Sequence, residues 1–410
     1  MPSGESTSPR AGGDRLKRSA GLLLLFLLAV LYWLGFSMLR PMLSLYFNDA
    51  GYAMGAIGAL MALHALIPVL LAMPAGQLID RIGPRRSSVI GGLIMAFSGI
   101  CYIAGGLTST LFPMIVGQLS NGIGSLLLWG ALQASVGRIA RGGPEASGNR
   151  MLSQFAFANA LAQFGGPVAG GWLADLGGFL WVFVYFALLS LICGLLAFRV
   201  PDAARPRPDG GATADLSLSL RSSYGSGIEL LRHNRRFAKA MLYNGMLFIL
   251  VDIQGTFLPV LLADRGYTNT EIGTLLSVGG IASIAIRPIA GLLINRLGQH
   301  GIMMGSLWSG CGCMIALTLD PGYWGIAAIL FVWGLGAGLN QPIALIIVAS
   351  TVTADRQGMG MSLRTMVNRL VQIVNPVAIG GISALIGLSY SFGVIAAALM
   401  AFGMSVKKAS

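Results

Sequence analysis

From residue 20 to residue 406, apolar runs of about 18 to 29 residues alternate with short polar breaks. A helix needs about 20 residues to cross a hydrocarbon core of ~30 Å, so each run is long enough to span a bilayer. The pattern predicts twelve spans, roughly 20–42, 54–76, 88–108, 111–136, 150–172, 179–199, 239–262, 271–293, 301–319, 323–351, 359–384 and 389–406. One polar interval is longer than the rest. Residues 200–238 begin PDAARPRPDGGATAD, a linker composition, and continue as IELLRHNRRFAKAM, which reads as a short basic amphipathic helix on the cytoplasmic surface. The expected organisation is therefore a six-helix bundle over 1–199, a cytoplasmic linker over 200–238 and a second six-helix bundle over 239–410.

The two bundles repeat one another. DAGYAMGAIGAL (49–60) aligns with DRGYTNTEIGTL (264–275), and the same register carries AGQLIDRIG (75–83) onto AGLLINRLG (290–298). In a second register NALAQFGGPVAGG (159–171) matches NRLVQIVNPVAIGG (368–381), pairing Asn159 with Asn368, Gln163 with Gln372 and Pro167 with Pro376. Internal repeats of this size are the mark of alternating-access transporters.

Composition narrows the class. Only 10% of the 410 residues are charged, against about 25% in a soluble domain. The 58 glycines suit helices that approach closely in lipid. The formal charge of +12 invites a nucleic-acid reading, but its distribution argues against one. With both termini inside, about 22 of the 27 Lys and Arg fall in cytoplasmic segments, and only Arg265 in an outside loop. Those basic residues also attract anionic membrane lipids. GLLLLFLLAVLYWLGFSML is too long for a signal-peptide core and lacks an A-x-A site, so it is read as the first span. The four cysteines all lie in apolar runs, and with three scattered histidines no metal or cofactor site is expected.

GQLIDRIGPRR (76–86) places four charges between two apolar runs. Gly76 and Gly83 are expected to give close helix approach and a tight turn. Asp80 stands at a helix end, where it can pair with cytoplasmic arginines or with the positive N-terminus of a neighbouring helix. Arg81, Arg85 and Arg86 hold the loop inside. A purely topogenic turn leaves the second copy in register unexplained, so the loop is read as a gate. The second copy carries Gly291, Arg296 and Gly298, with Asn295 in the aspartate's place and Arg287 just upstream. GQLIDRIGPRR resembles the loop signature of the major facilitator superfamily, and GGPVAGG resembles that family's antiporter motif, with Gly166, Pro167, Gly170 and Gly171 in its places and Ala162 where its first glycine is usual. The resemblance covers the whole chain and implies an all-α polytopic membrane protein of twelve helices in two pseudo-symmetric six-helix bundles. One departure stands out: QLSNGIG has Gln118 where the family's fourth-span arginine would be.

Polar residues inside lipid are costly and face a cavity or a partner. Spans three, nine and twelve carry no Asn, Gln, His or charged residue and span six only Arg199 at its cytoplasmic end, whereas the other eight carry such residues within them. That predicts a cavity lined by eight spans, with substrate-binding candidates Arg40, Asn159, Gln163, Asn340, Gln341, Arg364, Asn368, Arg369 and Gln372. Arg364, Asn368, Gln372 and Asn375 share one helical face, either as a binding surface or as interhelical glue. Asp252 is the acid nearest the midplane. It is either the proton-coupling carboxylate or the fixed partner of an arginine such as Arg40. His64 reads as a packed residue, and the Gly-Pro and Asn-Pro pairs as helix bends.

These residues point to a secondary active transporter of a small organic solute, working as a monomer in a bacterial inner membrane and coupled to protons, most readily as an exporter. The excess of arginines over Asp252 favours an anionic or zwitterionic substrate. The alternatives are a multidrug/proton antiporter for lipophilic cations centred on Asp252, and a uniporter or symporter for organic anions. No H-E-x-x-H, G-x-S-x-G or spaced Cys–His pair is present, which argues against an intramembrane enzyme. A sensor built on a transporter scaffold would carry an appended soluble domain.

Overall fold

The computed structural model describes residues 9–71, 75–141, 145–200, 225, 227–352 and 357–408, which are helical apart from short turns and include no strand. Backbone groups in lipid have no water to bond, so a spanning segment satisfies them internally as helix. The first half contains α1 (Pro9–Asp49), α2 (Met54–Leu71), α3 (Ala75–Ile82), α4 (Pro84–Thr108), α5 (Leu111–Arg141), α6 (Glu145–Gly177) and α7 (Phe179–Ala197). The second contains α8 (Arg235–Thr256), α9 (Leu258–Asp264), α10 (Asn269–Ala285), a 3-10 turn (Arg287–Ile289), α11 (Ala290–Leu317), α12 (Gly322–Thr351), α13 (Gln357–Ile386) and α14 (Leu388–Lys408).

Among the described residues nine segments are long and apolar enough to cross a membrane, ten if the bent pair α8 and α9 is one span. One of them, 269–317, covers the expected span eight and most of span nine, and the chain leaves helical geometry between the two at Gly298 (φ 72°, ψ 161°). Spans seven and eight are not the continuous helices the hydropathy predicts. Span seven bends by 41° between α8 and α9, beside Pro259, and span eight passes through the 3-10 turn that holds Pro288. Proline lacks the N–H and crowds the carbonyl four residues back, which accounts for both breaks. The basic RRFAKAM stretch, expected on a surface helix, is the first part of α8, with Asn234 accepting from Phe237 N as its cap. Residues 201–224 of the expected linker lie outside the described residues.

The repeat is written into the backbone. Gly83 (φ 90°) and Gly298 (φ 72°) occupy equivalent places in the two signature copies, and Gly51 (φ 77°) and Gly266 (φ 84°) in the two GY turns. A Cβ on Gly83 or Gly298 would meet nothing within 4 Å, so only the left-handed backbone requires glycine there. Gly83 thus serves the turn and not the close approach expected of it.

Within the first half α4 packs on α5 and α7, and α1 on α6 and α7; within the second, α12 packs on α10 and α11, and α13 on α8. The halves meet along two seams, α6 with α10 and α2 with α13. At both seams a glycine lets one backbone rest on another. A Cβ on Gly273 would stand 2.2 Å from Pro167 O, and one on Gly58 2.1 Å from Pro376 O. Gly171 likewise rests on Asn269 O and Gly380 on Met54 O. These contacts lie toward the end carrying the turns at 50–53 and 265–268. Toward the other end, Leu66 and Leu70 of α2 and Leu292 and Leu297 of α11 are exposed.

Candidate functional site

Between the halves, mid-length along the helices, lies a charged cluster. Arg40 of α1 donates through Nη2 to Asp252 Oδ1 of α8, and to Thr256 Oγ1 at 3.1 Å. Asn375 Nδ2 of α13 donates to the other carboxylate oxygen, Asp252 Oδ2, at 2.9 Å. Asp252 is fully buried. A carboxylate taken out of water survives when its lone pairs are filled, and here two other helices each supply a donor, Arg40 to one oxygen and Asn375 to the other. Of the two sequence readings of Asp252, this conformation displays the ion pair with Arg40.

The polar face of α13 divides its labour. Arg364 Nε donates to Asn244 Oδ1 of α8 at 3.2 Å, and Asn244 Nδ2 donates to Asn368 Oδ1 at 2.7 Å. Arg364, Asn368 and Asn375 therefore tie α13 to α8 as interhelical glue. Arg369 lies on the flank, and its side chain bonds within its own helix, from Nη1 to Gln372 Oε1 at 2.9 Å. No carboxylate pairs with Arg364 or Arg369 among the described residues.

Opposite stands an aromatic wall in the first half. Phe155, Trp129, Tyr32 and Phe36 stack with interplanar angles of 7°, 8° and 10° and centroid separations of 5.4 to 6.0 Å. Trp33 meets three of these rings edge-on. Phe36 leads on to His64, at 5.2 Å between centroids. His64 lines a small enclosed cavity with Arg40, Gln118 and Asn121, and both its ring nitrogens are buried without a partner. Gln118, in the family arginine's place, is structural: it donates to Leu60 O at 3.1 Å and accepts from Tyr102 Oη at 3.1 Å.

The remaining predicted residues scatter. Asn159 is buried with Oδ1 unpartnered, Gln163 is half-buried, and Asn340 is buried. Arg287 is half-buried in the 3-10 turn, with Nε unpartnered. Arg81, Arg86 and Arg296 are exposed and Arg85 half-exposed. Gly291 packs against nothing within 4 Å. Gly166 and Gly170 press α6 onto Ser37 and Met38 of α1, and Gly171 presses it onto α10. The surroundings of Gly76, Asp80 and Gln341 lie outside the described residues.

Three residues that bond across these helices escaped the sequence reading. Asn244 and Thr256 share a helical face with Asp252, a spacing visible in the sequence. Asp175 had no such signal. It caps α10 from the other half: Oδ1 accepts from Asn269 N (3.2 Å) and Nδ2 (2.8 Å), and Oδ2 accepts from Thr270 N (2.8 Å). Partial burial works to raise the Asp175 pKa, but the bonds from Thr270 and Asn269 outweigh it and hold the carboxyl below its ordinary value.

Comparisons with known proteins agree with this geometry. The profile of the Major Facilitator Superfamily matches residues 25–319 and 240–406. The chain is similar to the quinolone resistance protein NorA of Staphylococcus aureus, at 22% identity over 86% of this chain and 87% of that one. It is similar also to multidrug resistance protein 1 of Bacillus subtilis, at 22% identity over 92% of each. In fold it resembles a nucleoside transporter, NupG (TM-score 0.77, 16% identity, 94% of this chain and 99% of that one). A peptide transporter, POT, superimposes with a TM-score of 0.79 at 15% identity, over 94% of this chain and 93% of that one. An integral membrane protein of two repeated helical halves, with its polar cluster between them, this chain belongs to the Major Facilitator Superfamily.

Proposed function

We propose that the chain carries a small organic anion or zwitterion across a bacterial inner membrane by alternating access, as a monomer with both termini in the cytoplasm. The observation that carries this reading is the charge balance between the halves. Asp252 is neutralised by Arg40, which leaves Arg364 and Arg369 without acidic partners among the described residues. An uncompensated arginine within a membrane protein is a costly feature, best explained by a ligand that supplies the missing charge. With the basic-rich end inside, the closed end is the outer one, so the conformation is read as inward-open.

Proton coupling is proposed at Asp252. Its partner Arg40 belongs to the other half, so a rocking motion that parts α1 from α8 separates the pair and frees the carboxylate to take a proton. Export against that proton movement is the direction favoured by the relatives named for drug resistance. The second reading, a multidrug exporter, draws on the same names and on the aromatic wall, whose faces suit lipophilic compounds.

Purified protein screened by melting temperature against carboxylates, zwitterions and lipophilic cations tests the choice. A ligand at a hundred times its Kd adds about 2.7 kcal/mol to stability. Organic carboxylates are expected to raise the melting temperature, and Arg369→Ala to abolish the rise. Stabilisation by cations that Asp252→Asn removes would replace this reading with the multidrug one.

A further inference from the structure

The signature loop ends in an uncapped helix. Gly83 precedes α4 without a side chain, Pro84 fills its first position, and among the described residues no side chain accepts from the first-turn amides. The N-terminus of this 25-residue helix therefore presents open donors and the positive end of its dipole. Beside it lies a groove of about 350 Å³ lined by Arg85, Arg86, Val89, Ile90 and, from the end of α7, Phe198. Neither guanidinium pairs with a carboxylate among the described residues. The apolar wall is open to the surroundings, with Ile90 40% and Phe198 50% exposed.

The groove continues along the helices. α4 and α7 touch almost backbone to backbone, since a Cβ on Gly92 would stand 2.6 Å from Gly194 and one on Gly99 2.7 Å from the Ala187 backbone. By the helical period, exposed Ile100 on α4 and Leu191 on α7 flank this seam, which makes it a shallow apolar furrow running away from the two arginines. The helices α4 and α7 pack within their own half and take no part in the seams between halves.

We propose that this groove binds an anionic phospholipid of the surrounding leaflet, its phosphate held by Arg85, Arg86 and the α4 N-terminus and one acyl chain lying in the α4–α7 furrow. Charge complementarity selects the headgroup: the described lining residues offer two cations and no acid, so an anionic lipid gains where the cationic group of phosphatidylcholine has no partner. The apolar wall selects a lipid over a soluble anion, because a free phosphate gains nothing from Ile90 and Phe198. The PRR portion of the signature then anchors the first half to the leaflet, against which the second half rocks.

Delipidated full-length protein in detergent tests this by native mass spectrometry and melting temperature, titrated with dioleoyl phosphatidylglycerol, dioleoyl phosphatidylcholine or inorganic phosphate. Phosphatidylglycerol is expected to be retained and to raise the melting temperature, with phosphatidylcholine and phosphate weaker. Arg85→Gln with Arg86→Gln is expected to weaken retention roughly thirty-fold, from two phosphate-facing arginines. Arg150→Gln, an exposed arginine elsewhere, leaves it unchanged. Phe198→Glu keeps both arginines and still lowers lipid retention, which guards against a double variant that fails to fold. Equal loss with Arg150→Gln would make the attraction diffuse, and full stabilisation by inorganic phosphate would make the site one for an adventitious ion only. Either result overturns the proposal, as does retention that ignores Phe198→Glu.

Discussion

At the α6–α10 seam Gly273 rests on the carbonyl of Pro167, and at the α2–α13 seam Gly58 rests on the carbonyl of Pro376. These are the same contact made by equivalent residues of the two repeats, exchanged between halves. The polar groups around them differ. The N-terminus of α10 has every first-turn donor filled, by the Thr268–Glu271 capping box and by Asp175 from the opposite half. In the α2–α13 seam the position equivalent to Asp175 is Ala384, four residues beyond Gly380 as Asp175 is four beyond Gly171. Ser277 donates across the first seam to Phe164 O at 2.6 Å, and its counterpart in the repeat is Ala62. Packing is therefore shared by both seams, and electrostatic locking belongs to one. As a gate, the two seams would share a packing surface, with Asp175 as the chemical latch of one of them.

The largest effect is expected from breaking what the seams share. Gly58→Leu or Gly273→Leu drives a side chain into a carbonyl about 2 Å away, and overpacking costs roughly 1–3 kcal/mol or more. Transport in proteoliposomes should fall by up to a hundredfold, with cysteine labels at 50–53 becoming accessible from outside. Asp175→Asn removes the latch alone. Loss of a charged cap costs about 1–2 kcal/mol, so the ratio of closed to open outer ends, read by spin-label distances, should fall about five- to thirty-fold. Ala384→Asp sharpens the comparison by offering the second seam a carboxylate, and it is expected to shift the same ratio toward closure.

Acid should imitate Asp175→Asn. The pKa of Asp175 is lowered in this conformation, so its contribution is fully present above the ordinary carboxylate value near 4 and is lost as pH falls through the lowered one. The spin-label distances should open in that acid range for the natural chain and stay flat for the asparagine variant. Ser277→Ala, which copies Ala62, is the mildest change. It removes one interhelical hydrogen bond worth about 0.6 kcal/mol in a membrane protein, near a threefold shift in the same measurement.

Much of this architecture was legible before any coordinates. Run length and charge distribution set the spans, because only helices hide their backbone in lipid and only a minority of residues are charged. The repeat registers identified Gly58, Gly273, Pro167 and Pro376, and these residues turn out to touch one another. The spacing of Arg364, Asn368, Gln372 and Asn375 placed them on one face. What sits opposite that face was not legible. Periodicity gives the direction of a side chain within its own helix, whereas a partner such as Asn244 or Asp252 depends on how two helices are set against each other. Proline breaks in spans seven and eight were visible as residues but not as bends, since neighbouring helices decide whether a proline is absorbed or kinks the chain.

The sequence by itself determined the class, the internal symmetry and the turns at Gly83 and Gly298, all of which follow from local geometry and from the cost of polar groups in lipid. Only the tertiary structure decided that Arg40 neutralises Asp252, that Arg369 is left without an acid among the described residues, and that Asp175 latches the first half to the second. The two contacts are meetings of residues on different helices, about a hundred and more than two hundred positions apart, and the unpaired arginine is what such meetings leave over. Charge balance at a point in the bilayer is a property of that meeting and not of any one segment.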